Sequence, residues 1–181
     1  MNVSSTRMLC VFDVESIGLH GEGFAVAYRV MNAAGEAVES NEFSCDPALA
    51  LGRDEDRAWV AANVPTLARN CATPAEVRAK FWQRWLHWRE AGAWLAADCS
   101  WPVEAAFLAA CVRDGGDAAH WQGPYPLLDI STLTFALGRD PRDEETRLPD
   151  ELPLHDPAAD VRHSARKLQQ ALTSLATRAI P

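Results

Sequence analysis

"MLCVFDVES", Met8 to Ser16, is the stretch on which the fold turns. An apolar run is closed by Asp13 and Glu15. A run of this length without polar alternation predicts a central strand over residues 8–14, buried on both faces, as in sheets covered by helices. Alternation along a strand puts Asp13 and Glu15 on one side of its end and turns Val14 away. Two converging acids repel each other unless a cation lies between them. The carboxyl end of a central strand is a common ligand site in α/β folds. Taken alone, the D-x-E pattern fits a solvated strand end equally well.

Outward from this strand, residues 23–31, "GFAVAYRVM", and 37–45, "AVESNEFSC", read as two more strands. "NAAGEA" between them has the composition of a hairpin loop. Residues 54–63 predict a short helix. Residues 74–91 predict the clearest one, with Thr73 as its cap and Pro74 at its first position. Val77, Phe81, Trp85 and Trp88 recur there at helical spacing, which points to core packing before base stacking. Residues 93–98, "AWLAAD", predict a fourth strand, followed by a helix from about Pro102 to Val112. Residues 125–130 predict a fifth strand, with a short helix directly after it. Asp129 at that strand end reads as a structural cap. The polar segment 139–151 reads as a surface loop. A last helix is expected from near Pro157 to about Thr177. Three strands in succession, then alternating helices and strands, give an α/β domain with a mixed sheet, one domain over residues 1–181.

The composition narrows the partners. With 48% hydrophobic residues in 181, the chain can bury a sizeable core. Its formal net charge of −8 argues against gripping long duplex nucleic acid through many phosphates. The partner is then not nucleic acid, or is short, or is attracted through bound cations. No apolar stretch is long enough to span a membrane. The N-terminus lacks a signal-peptide layout, so a cytoplasmic location is expected. The five cysteines form no CxxC pair, which argues against a disulfide framework or a zinc site. Most are expected to be small buried hydrophobes.

A second acidic cluster lies in "LHDPAADVRHSARKL", Leu154 to Leu168. Asp156 is a good N-cap and Pro157 a good first helical residue. His155 then sits just outside the helix, on a more mobile lead-in, and Asp160 falls about one turn in. A surface-loop histidine is the plain alternative for His155. His163, mid-helix without an acid partner pattern, is given no role. Asp98 closes the fourth strand and is open to a capping or turn role as well. Together, Asp13, Glu15, Asp98 and Asp160 are hard oxygen ligands suited to Mg²⁺ or Mn²⁺. Four such carboxylates can hold two ions roughly 3.5–4 Å apart for an in-line phosphoryl displacement. A neighbouring histidine can accept the proton of the attacking water.

At these residues the chain resembles the DEDDh 3′–5′ exonucleases of the ribonuclease H-like superfamily. "FDVES" carries Asp13 and Glu15, "ADCSWPVEAAFL" carries Asp98, and "HDPAADVRHSA" carries His155 and Asp160 in an H-x4-D spacing. The resemblance covers about residues 8 to 172. It implies a mixed five-stranded sheet flanked by helices, and release of nucleoside monophosphates from a 3′ end with two divalent cations, Mg²⁺ or Mn²⁺. It implies that Asp13, Glu15, Asp98 and Asp160 are metal ligands and that His155 is the general base. It places Gly18, Leu19 and Phe24 in the segment that meets the terminal nucleotide. Ordinary packing is the alternative for Leu19 and Phe24. The chain departs from the family pattern at Ala97, where a Phe often precedes the Asp. Its "SWP" is closer to compact stand-alone enzymes such as the small bacterial exoribonuclease-like group. The acidic charge fits short or single-stranded, 3′-overhanging nucleic acid, with RNA favoured over DNA. Dimers are frequent in the family, and exposed tryptophans would suit a homodimer contact.

Two other readings stay open. One is a catalytically inactive nucleic-acid or protein binding module of the same fold. The other is an interaction protein with Trp-rich surfaces, in which Asp13→Ala changes only local stability.

Overall fold

A computed structural model describes residues 8–143 and 145–178. Residues 1–7, 144 and 179–181 of the expected single domain, with the start of the N-terminal segment read for a signal, lie outside the described residues. The central strand is β1 (Leu9–Ser16). It pairs antiparallel with β2 (Gly23–Met31), which pairs antiparallel with β3 (Ala37–Ser44). On its other side β1 pairs in parallel with β4 (Trp94–Ala97), and β4 with β5 (Leu128–Asp129). The sheet is thus mixed and five-stranded, as expected, and its strand order is β3-β2-β1-β4-β5.

Five α-helices occur among the described residues: α1 (Asp54–Asn63), α2 (Pro74–Glu90), α3 (Ala105–Ala119), α4 (Ile130–Ala136) and α5 (Pro157–Arg178). Strand alternation divides the core in two. Cys10, Phe12 and Val14 of β1 belong to one cluster with Val77, Phe81 and Trp85 of α2 and Phe107 of α3. Val11 belongs to the opposite cluster with Ala96 of β4, Ile130 of α4 and Val161, Ala165 and Leu168 of α5. The tryptophans at positions 82 and 85 are buried, and Trp88 packs against the same cluster, so this helix is core as expected. The Thr73 hydroxyl accepts from the Glu76 amide and caps α2. Of the five cysteines only Cys99 is exposed, and all are free. Among the described residues no helix is long and apolar enough to cross a membrane.

Three segments differ from expectation. The fifth strand is only two residues long, because Asp129 leaves it to cap α4 through the Thr132 amide. The helix expected at 102–112 is preceded by a wide helical turn, Ser100–Glu104, and continues to Ala119. The polar segment 139–151 is not wholly a surface loop. It ends in a 3-10 turn, Pro149–Glu151, whose Glu151 is buried.

Candidate active site

The parity that sends Val11 toward α5 sends Asp13 and Glu15 the same way. The parallel register between β1 and β4 runs Leu9 with Trp94 and Val11 with Ala96. Continued by two residues, it brings Asp13 level with Asp98 at the carboxyl ends of adjacent strands. Ala96 faces α5, so Asp98, two residues on, faces it too. Helix α5 then supplies Asp160 from its first turn. Asp156 caps that turn, accepting from the Ala158 and Ala159 amides at 2.9 and 3.1 Å, as the sequence predicted.

These carboxylates are crowded. Burial first, then the charges of Asp160, Glu15, Glu104 and Asp98, holds the Asp13 carboxyl well above the usual range. Glu15 is pushed up to about 8 by burial and then by Asp160, Glu104 and Asp156. Burial raises Asp160 as well, against the opposing pull of Arg147. Glu104, in the turn after β4, is pushed up to about 7 by burial and by Asp98 and Asp129. Nothing in its local sequence marks Glu104 as part of the cluster. Only the turn that follows Asp98 brings it there.

His155 stands at the mouth of this cluster, with Nδ1 3.9 Å from Glu15 Oε1. Its backbone N–H donates to Asp160 Oδ2 at 3.1 Å, and its ring meets Trp59 of α1 edge-on at 4.9 Å. Its φ of 61° is left-handed, a conformation that costs a non-glycine residue about 1–2 kcal/mol. Glu15, His155 and Asp160 offer ligand atoms that all lie within 4.8 Å of one another. That donor set, two carboxylates and an imidazole among buried acids, fits one divalent cation.

Two of the acids are already paired. Arg147 bonds to Asp160 Oδ1. Lys167 Nζ donates to both oxygens of Asp98, at 2.9 and 2.8 Å. Neither cation stood out in the sequence. Glu151, buried beneath them, accepts from Arg166 at 2.6 Å and from the Leu148 amide at 2.9 Å, and meets His163 Nδ1 at 3.1 Å. His163 thus has an acid partner after all, in a structural network and outside the cleft. Asp129 is structural, as read: it accepts from the Ser100 and Thr132 amides.

A cleft of about 750 Å³ opens beside the acids, bordered by Asp13, Glu15, Leu19, Trp59, His155 and Asp160. Leu19 is 66% exposed at its rim. Gly18 holds φ 67°, and a Cβ there would stand 2.5 Å from Asp56 Cγ, so the turn requires glycine. Phe24 does not reach the cleft. It is 0% exposed in the α2 side of the core, because β2 is covered on both faces, and a ring so buried cannot stack on a nucleotide.

No family model and no curated protein sequence matches the chain. Solved structures do. A zinc-bound exonuclease I of E. coli in complex with single-stranded DNA aligns with a TM-score of 0.62 at 16% identity, over 93% of this chain and 41% of that one. Exonuclease I of Methylocaldum szegediense aligns with a TM-score of 0.61 at 17% identity, over 97% and 41%. A 3′-exonuclease that recognises the 3′ end of a histone mRNA stem-loop aligns with a TM-score of 0.52 at 14% identity, over 94% and 83%. The chain therefore spans about two fifths of the exonuclease I structures it matches.

Proposed function

From a chain that carries the ribonuclease H-like fold of the DEDDh 3′–5′ exonucleases, we propose a 3′–5′ exonuclease that releases nucleoside monophosphates from short or single-stranded 3′ ends. The observation that carries this is the convergence of Glu15, His155 and Asp160, with Asp13 beside them, at the end of the central strand. Mg²⁺ or Mn²⁺ would be held by Glu15 and Asp160, with Asp13 and Asp98 as the further ligands implied by the resemblance. When bound, the ion supplies a lowered pKa for attacking water and charge stabilisation at the phosphate.

The residues of the chain do the rest. His155, fixed through its amide and by Trp59, is placed to accept the proton of the attacking water. Leu19 and Trp59 present apolar surface on the borders of the cleft, against which a terminal base and its ribose can rest. The acid cluster repels phosphate unless a cation is present, which accounts for binding by so acidic a chain. RNA is the favoured substrate. The matched structures concern both DNA and RNA, so both sugars enter the assay.

A second reading, an inactive module of this fold, draws on the pairing of Asp98 and Asp160 with Lys167 and Arg147. The deciding experiment uses 5′-labelled single strands of RNA and DNA with Mg²⁺ or Mn²⁺. A ladder shrinking from the 3′ end, lost with chelator, in Asp13→Ala and in His155→Ala, supports the exonuclease. Intact strands at saturating metal would favour the inactive module.

A further inference from the structure

We propose that Lys167 takes the place of a second cation, so that the cleft binds one divalent ion. The inference rests on the metal-dependent reading above and departs from the two ions that the resemblance implies.

Of the four carboxylates that the resemblance gives to two ions, Asp98 stands apart from the Glu15 and Asp160 pair, and both of its oxygens accept from Lys167 Nζ. The Lys167 side chain is only 8% exposed, so its ammonium has little water and depends on that carboxylate. Release of Lys167 to admit a metal would strand a buried charge. Helix geometry explains the placement. Residues 160 and 167 lie seven apart, two turns along α5 and on nearly the same face. Helical side chains lean toward the N-terminus, so the long Lys167 stem carries its charge back toward the level of Asp160.

The remaining acids agree. Among the described residues, Glu15 and Asp160 come close enough to each other and to the proposed base His155 to share an ion between them, and Asp98 is outside that group.

The test counts bound Mn²⁺ by electron paramagnetic resonance of the free ion and by titration calorimetry, without substrate or turnover. One ion is expected in the wild-type protein and two in Lys167→Gln. Asp98→Asn should still bind one ion, within about tenfold of wild-type affinity, because Asp98 lies outside that ion's shell. Two ions in the wild type would overturn the proposal, as would one ion in folded Lys167→Gln or loss of the ion in folded Asp98→Asn. Should Lys167→Gln fail to fold by circular dichroism, the wild-type count and Asp98→Asn still decide. No ion in the wild type would overturn the metal-dependent function itself, a result distinct from a count of two.

Discussion

The backbone N–H of His155 donates to Oδ2 of Asp160 at 3.1 Å, so the proposed base is held by the same carboxylate that would hold the metal. The H-x4-D spacing is what allows this. The first turn of α5 folds Asp160 back over the residue that precedes its cap. The left-handed φ of His155 is maintained by that bond.

His155→Gly and His155→Ala should therefore separate strain from chemistry. Both remove the base, and activity should fall by about 10²-fold or more in each. Glycine accepts the left-handed backbone, so His155→Gly should be more stable than His155→Ala by about 1 kcal/mol. Urea denaturation of the two variants measures the difference. Equal stabilities would mean that the backbone there is unstrained.

Gly18→Ala should destabilise the protein by about 1–2 kcal/mol, from its positive φ and the approach to Asp56. The shift should displace Leu19, raising KM for single strands more than it lowers kcat. A parallel series with Phe24→Leu should leave KM unchanged and cost stability alone, since Phe24 is core.

The pH dependence of the metal-free protein follows from the acids in the cleft. Glu15, raised to about 8, and Glu104, raised to about 7, hold protons in the folded state that they release when unfolded. Their contribution to stability is complete below about pH 4.5 and is lost as pH rises through 7 and 8. Glu151 acts oppositely. Arg166, above all, lowers it to about 2, so its contribution is present above about pH 4.5 and lost as pH falls toward 2. Thermal unfolding with chelator should thus show a maximum near pH 5 and a fall of several degrees by pH 8. Millimolar Mn²⁺ should restore the loss at pH 8 far more than at pH 5, because protons and metal compete for the same oxygens. A metal-free protein equally stable at both pH values would contradict this.

Glu151→Gln should cost about 2–3 kcal/mol, since it leaves Arg166 and His163 without their buried acid. The cost should appear in denaturant midpoints, while Mn²⁺ affinity changes little. A large loss of metal binding would mean that the 149–151 turn positions the cleft directly.

What was legible in the sequence was local. The parity of Asp13 and Glu15, the Thr73 and Asp156 caps and the apolar stripe of α2 each depend on spacing within one element. What was hidden depends on distance along the chain. Lys167 meets Asp98 across 69 positions, and no pattern near either residue announces the pairing. Glu104 enters the cluster through an irregular turn, and Glu151 is buried inside a segment whose polar, proline-punctuated composition reads as surface. Phe24 lies in the core although it follows the Gly18–Leu19 turn closely. Its strand, "GFAVAYRVM", is a nearly unbroken apolar run, the sequence signal of a strand covered on both faces.

Helix α5 carries Asp160, His163, Arg166 and Lys167, which engage the cleft, the buried Glu151 and Asp98 in turn. Their functions are therefore written in angular phase, about 100° for each residue. A single inserted or deleted residue between positions 160 and 167 would leave the helix intact and swing the ammonium away from Asp98. Point substitutions can be absorbed one at a time along this segment, whereas a change of length would uncouple all four at once. Among descendants of this chain, the spacing from Asp160 to Lys167 should accordingly be held as tightly as the identities of these four residues.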